Sequence, residues 1–371
     1  MKKFLGIALI ILALIIIGAV LFTRERQKPL PGDATPTPKA KIFTWGVTSG
    51  PYQLDGYKTE SADKQIALLK DLGVSTVRIS VERKLTLDPF KIEYADNVND
   101  DFIDRLSKNG IDIALIIDGD IIGTATTDGF DQEAEGYKMG SYIAKRYKGK
   151  VKYYQTANEV TGTIVKPADP NFKGETFQGE FGVQYSTDRY NSTLKWIKGI
   201  GRGIRENDPA AKIVITGHWI LTDIISRLQK DGAQFDIIGW AWYSPDGTDM
   251  TKRERDGGEY NLLARLQEFK KPVWVIESNR DKGSYSVQNA NAGELEQSQF
   301  IKQFTKTMLA NSGVSGYFVY PLQDTPPGVA GTAEKDGHWG IVAPKLLNGQ
   351  VEYTRKSAFF IYKEIIQSNN F

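Results

Sequence analysis

Short apolar runs of strand type alternate with amphipathic runs eight times along residues 41–371. The strand candidates are 42–48, 75–81, 111–118, 151–157, 212–218, 236–243, 272–277 and 316–321. Between and after them apolar residues recur every three or four positions. Ile66, Leu69 and Leu72 line one such run, and Phe300, Phe304 and Met308 line another. That spacing puts the apolar residues on one face of a helix. Alternating strand and helix units predict a parallel sheet, and eight of them in one compact domain predict a closed (β/α)8 barrel of the α/β class. An open doubly wound sheet is the rival, but no strand candidate is followed by a Gly-rich phosphate loop.

Strand side chains alternate between faces, so each run can be phased. In 236–243 one face carries Ile237, Gly239, Ala241 and Tyr243, which suits a crowded barrel interior. The other carries Ile238, Trp240 and Trp242, which suits the layer under the helices. The same phasing groups Val273, Val275 and Glu277, and groups Thr76, Arg78 and Ser80. Glu277, Arg78 and Tyr243 are therefore expected to face the barrel axis near the C-terminal ends of their strands, where barrel active sites lie.

The N-terminus has a different pattern. Lys2 and Lys3 precede an apolar run over 4–22, long enough to cross the hydrocarbon core of a bilayer as a helix. The domain reading is an anchor or signal segment over 1–23, a linker over 24–40 and a catalytic barrel over 41–371. The run exceeds the usual length of a signal-peptide core, and no small-x-small cleavage site is evident, which favours a retained anchor over a cleaved signal. Pro29, Pro31, Pro36 and Pro38 make the linker a semi-extended spacer. A spacer of this kind suits a domain held outside the cytoplasm, although Arg24, Arg26 and Lys28 leave the charge rule without a clean answer.

Charge and composition narrow the function classes. Lys+Arg is 47 against 45 for Asp+Glu, so no bulk basic surplus points to nucleic acid. Cysteine is absent, which removes disulfides, thiolate metal sites and a cysteine nucleophile. The two histidines, His218 and His338, show no metal-ligand spacing. No Gly-x-Ser-x-Gly elbow follows a strand. The expectation is a chain without cofactor or metal, acting as a monomer.

Two carboxylates carry the candidate chemistry. Glu159 closes Val151-Lys-Tyr-Tyr-Gln-Thr-Ala-Asn158-Glu159, and Glu277 closes Lys271-Pro-Val-Trp-Val-Ile-Glu277. A carboxylate at the tip of an apolar strand is costly unless it faces water or a ligand. Two of them on separate strands of one closed sheet can converge on a single cleft, and paired carboxylates perform glycoside hydrolysis. A retaining mechanism needs them about 5–5.5 Å apart, one ionised and one protonated. Arg78 beside Glu277 would favour its charged form, and that charge would raise the pKa of Glu159.

In this order the motifs resemble those of the large clan of retaining (β/α)8 glycoside hydrolases that includes the cellulase, mannanase and β-galactanase families. Thr76-Val-Arg78-Ile-Ser80 resembles the clan's second-strand arginine motif, and Thr156-Ala-Asn158-Glu159-Val160 its fourth-strand Asn-Glu motif. Asp236-Ile-Ile-Gly-Trp-Ala-Trp-Tyr243 resembles the sixth-strand tyrosine motif, and Trp274-Val-Ile-Glu277 the seventh-strand nucleophile motif. The ending Gly337-His-Trp-Gly-Ile-Val342, with the run from Lys356 to Tyr362, resembles the last loop and helix. The resemblance implies that Glu159 is the general acid/base and Glu277 the nucleophile. It implies that Asn158 binds the sugar 2-hydroxyl while Arg78 and Tyr243 hold Glu277. It also implies retention on β-linked or equivalent carbohydrate substrates.

The chain departs from the clan at two positions. Ala241 stands where many members have a histidine, and Tyr320 precedes Pro321 where many have a sugar-stacking tryptophan. Trp339 in the following loop is the substitute platform. These departures leave the reaction type intact and the sugar unnamed. Other candidates for substrate contact each have a second reading. His218 and Trp219 end the fifth strand, as site or as core. Asp118 and Asp120 follow the third, as sugar contacts or turn residues. Trp45 ends the first, as stacking platform or core. A long connection between Val160 and Tyr190, carrying Phe172, Phe177, Phe181 and Tyr185, reads as a wall of the cleft. The competing functions are a barrel that binds surface glycan without cleaving it, and a transglycosylase that uses the same carboxylate pair.

Overall fold

The computed structural model describes residues 43–50, 56–80, 83–87, 90–94, 96–117, 131–164, 185–255, 258–311, 313–325 and 337–369. The proposed anchor (1–23), the linker (24–40), Asp118, Asp120 and most of the long connection after Glu159 lie outside them. Among the described residues no helix is long and apolar enough to cross a membrane.

Eight strands of the described residues form one closed barrel: β1 (Thr44–Thr48), β2 (Thr76–Ser80), β3 (Asp112–Ile116), β4 (Tyr153–Gln155), β5 (Lys212–His218), β6 (Ile237–Tyr243), β7 (Val273–Asn279) and β8 (Val314–Val319). Every neighbouring pair is parallel, and β1 closes the ring by pairing with β8. Each strand is followed by a helix: α1 (Thr59–Leu72), α2 (Asp96–Lys108), α3 (Gln132–Tyr147), α4 (Thr187–Asn207), α5 (Asp223–Lys230), α6 (Leu262–Gln267), α7 (Ala290–Leu309) and α8 (Ser357–Asn369). The expected fold is therefore present. The sequence reading missed three antiparallel hairpins in the connections, Arg83–Leu87 with Phe90–Tyr94, Arg253–Arg255 with Gly258–Tyr260, and Val342–Leu347 with Gln350–Arg355.

Local chemistry sets the helix limits. The side chains of Asp131, Ser186, Asn261 and Asn289 accept hydrogen bonds from the first-turn amides of α3, α4, α6 and α7. α1 stops at Gly73, whose φ of 83° is a left-handed cap that costs a glycine little. The apolar stripes read from the sequence face inward: Ile66, Leu69 and Leu72 of α1 are buried, as are Phe300, Phe304 and Met308 of α7.

The barrel axis is filled by Ala114, Tyr153, Val214, Ile237, Trp274, Ile276 and Phe318. Large side chains fit there because glycine stands opposite them. Gly46 pairs with Phe318, and a Cβ on Gly46 would lie 2.2 Å from the Phe318 ring. Gly316 pairs with Trp274, and a Cβ there would lie 2.7 Å from the indole. Outside the sheet, Ile238, Trp240 and Trp242 join the larger core under the helices, as phased.

Two expectations are corrected here. Trp45 is 2% exposed and packs edge-on against Tyr317 and Tyr362 in the outer layer. Its neighbour Gly46 points to the axis, so strand alternation turns Trp45 toward the helices and away from any cleft. The phase of β7 also differs: Val273 and Val275 lie in the outer core, while Trp274 and Ile276 face the axis. Glu277 would then point outward, but a β-bulge intervenes. Val275 pairs with Trp240 and Glu277 with Ala241, so the one extra residue restores an inward-facing carboxylate.

Candidate active site

At the C-terminal ends of the strands, Glu277 sits beside Arg78. The guanidinium Nη1 lies 2.6 Å from Glu277 Oε1, and both side chains are nearly sealed from solvent. The Tyr243 hydroxyl donates to the other carboxylate oxygen, Oε2, at 2.8 Å. Burial, followed by the charge of Glu277, pushes the Tyr243 phenol well above its ordinary range, so it remains a hydrogen-bond donor at neutral pH. Both oxygens of Glu277 therefore have a donor.

Arg78 reaches further. Its Nη2 donates to Asn158 Oδ1 at 2.8 Å, its Nε to Gln155 Oε1 at 2.8 Å, and its Nη1 also to Thr48 Oγ1 at 3.3 Å. It thus joins β1, β2 and β4 at the carboxylate.

Glu159 is delivered differently. β4 ends at Gln155, and the chain turns so that Glu159 takes a left-handed backbone at φ 39° before a single helical turn (Val160–Thr163). A non-glycine residue there stores strain of about 1–3 kcal/mol and needs support from its surroundings. Thr216 of β5 supplies support: its hydroxyl accepts from the Glu159 amide at 2.8 Å and donates to the Ala157 carbonyl at 3.0 Å. Burial pushes the Glu159 carboxyl up to about 7, the charge of Glu277 adds to the rise, and Arg78 opposes it. The charge of Glu277 reaches Glu159, and Arg78 acts on both acids.

His218 Nδ1 lies 3.6 Å from Glu159 Oε2 and 2.8 Å from Thr161 Oγ1. Burial holds the imidazole down to about 4, so it is neutral at pH 7 and acts beside Glu159 as a polar wall rather than as a charge. Trp219 follows with φ 57°; its ring meets His218 edge-on at 3.8 Å and packs partly on the outer core. Tyr320 senses both acids, since burial and then the charge of Glu277 raise its phenol, with a smaller contribution from Glu159. Trp339 meets Tyr243 edge-on at 5.5 Å and Tyr320 at 6.4 Å.

Of the expected site residues, the structure thus gathers Glu159, Glu277, Asn158, Arg78, Tyr243, His218, Tyr320 and Trp339 around one face of the barrel. Trp219 is adjacent, Trp45 is elsewhere, and Asp118 is outside the described residues. The sequence reading missed Gln155, Thr216 and Asn279. The first two share strand parity with the axis-facing Tyr153 and Val214, a signal that was present in the pattern. Asn279 Nδ2 donates to the carbonyls of Tyr320 and Trp339, tying both aromatic residues to the end of β7. No sequence pattern foretells that contact.

No family model matches the chain, and no curated protein matches it. Solved structures share its fold. A β-glucosidase from Thermotoga maritima in complex with deoxynojirimycin superposes with a TM-score of 0.60 at 15% identity, covering 89% of this chain and 98% of that one. The complex of that enzyme with glucoimidazole gives 0.61 at 15% identity, covering 90% and 99%. A β-glucuronidase from an uncultured Clostridium sp. gives 0.57 at 16% identity, covering 88% of this chain and 50% of that one. The barrel is one that β-glycosidases use, in agreement with the resemblance read from the motifs; at this identity the likeness is one of fold.

Proposed function

We propose that the chain is a retaining glycoside hydrolase that cleaves β-linked oligo- or polysaccharides by double displacement. Glu277 attacks the anomeric carbon while protonated Glu159 gives its proton to the departing glycosidic oxygen. Glu159, now ionised, takes a proton from water as that water attacks the glycosyl-enzyme and releases Glu277. Asn158 contacts the sugar at the reacting centre, and Trp339 with Tyr320 offers an aromatic platform.

One observation carries the reading. Two glutamates share a face of the barrel in opposed environments, one bound by Arg78 and Tyr243 through both oxygens, the other raised to about 7. Such a split assigns identical side chains to nucleophile and acid. The common fold with a β-glucosidase and a β-glucuronidase supports it. The apolar N-terminal run supports a membrane-tethered enzyme acting outside the cytoplasm.

Incubation with a panel of 2-deoxy-2-fluoro glycosides, followed by intact mass and peptide mapping, tests the reading. A stable adduct on Glu277 is expected, and the reactive glycoside identifies the sugar. Turnover of a glycoside with inversion of configuration would sink the proposal.

A further inference from the structure

Gln155 is 1% exposed and stands four residues before Glu159 on β4. Its Oε1 accepts from Arg78 Nε at 2.8 Å. Its Nε2 faces Asn158 Oδ1 at 2.9 Å, the Ala157 carbonyl at 3.0 Å and Thr216 Oγ1 at 3.3 Å. These orientations are forced. A guanidinium has donors and no acceptor, so the amide oxygens of both Gln155 and Asn158 must turn to Arg78. Gln155 is then left with its nitrogen toward the Ala157–Glu159 turn, and Asn158 with its Nδ2 directed away from Arg78. The third nitrogen of the guanidinium holds Glu277.

We propose that Gln155 is a positioning residue for the carboxylate pair, its buried carboxamide locking Arg78, Asn158 and the Glu159 turn into one unit. Because the same guanidinium binds Glu277, the support of one acid cannot shift without shifting that of the other. Removing the carboxamide takes the acceptor from Arg78 Nε inside the barrel, where an unmade hydrogen bond is expensive, and frees Asn158 Oδ1 and the Ala157 carbonyl from the Gln155 amide. This deepens the glycosidase reading and rests on it only for the kinetic part of the test.

The test uses Gln155→Glu and Gln155→Met in the full chain. The charged and titratable groups facing Glu159 or its partner are Arg78 from β2, His218 from β5, Tyr243 from β6, Glu277 from β7 and Tyr320 beyond β8. In Q155E a carboxylate engages Arg78 and offsets its pull on Glu159. The Glu159 midpoint, followed by carboxyl carbon NMR and assigned with Glu159→Gln, should rise by about one pH unit. In Q155M, which keeps the volume, kcat on an aryl glycoside should fall about tenfold or more with KM little changed, while the protein still melts cooperatively. A residue that merely fills space would leave kcat in place in Q155M. An unmoved Glu159 midpoint in Q155E overturns the proposal. If Q155E yields no folded protein, an unchanged kcat in Q155M overturns it. Absence of any glycoside turnover by the parent chain would sink the hydrolase reading instead, and the NMR titration would still decide the role of Gln155.

Discussion

The ends of β4 and β7 each deliver a glutamate to the same face, by opposite means. β7 carries Glu277 inside a seven-residue strand, turned to the axis by a bulge and gripped through both carboxylate oxygens. β4 stops after three residues, and Glu159 follows on a left-handed turn, its amide donating to the Thr216 hydroxyl. Its carboxylate lies 3.6 Å from His218 Nδ1. The difference fits the two tasks proposed for them. A nucleophile must stay ionised and in line, so donors on both oxygens serve it. An acid that gives up and retakes a proton needs its backbone fixed and its carboxyl unengaged.

Removing Glu277 should break the comparison most severely. Glu277→Ala should lower turnover on the order of 10⁴-fold or more, since no covalent intermediate can form; wild-type rates in a steady-state assay would refute the assignment. Glu159→Ala should lose about 10²–10⁴-fold in kcat on substrates with poor leaving groups. Activated aryl glycosides should recover part of that loss, and added azide should yield glycosyl azide detectable by chromatography.

Next comes the support of the turn. Thr216→Val keeps the shape of the side chain but strands the Glu159 amide, and kcat should fall about tenfold while Thr216→Ser restores it. A titration sharpens the contrast further. In Glu277→Gln the Glu159 midpoint should move down from about 7, because the like charge is gone. It should stop short of the ordinary value, because burial, the larger cause, remains.

The smallest effect is on stability. The folded Glu159 carboxyl holds its proton up to about 7, against 4.5 ordinarily, so the folded state binds more protons than the unfolded chain between those values. Stability contributed by this group therefore declines as pH rises from about 4.5 to 7. Glu159→Gln removes the penalty and should melt higher than the parent at pH 8 but not at pH 4. The side chain keeps 32% exposure, so the gain should be on the order of 1 kcal/mol.

Much of this was legible along the chain. Period-two alternation correctly phased β6, placed Arg78 and Tyr243 on the axis, and would also have exposed Gln155 and Thr216. The same rule misplaced Val273 and Val275, and it put Glu277 on the correct face for the wrong reason, because a bulge adds a residue without any mark in the local pattern. Trp45 was undecidable from its own strand, and was settled by Gly46 having to make room for Phe318.

By itself the sequence determined the (β/α)8 order and the helix stripes and singled out the two glutamates as candidates, because periodicity and strand-end chemistry are local properties. Only the tertiary structure decided that one guanidinium serves Glu277, Asn158 and Gln155 together, and that Glu159 carries a raised pKa. Both depend on distances between residues far apart in the chain, and on the exclusion of water that arises only when the barrel closes around them.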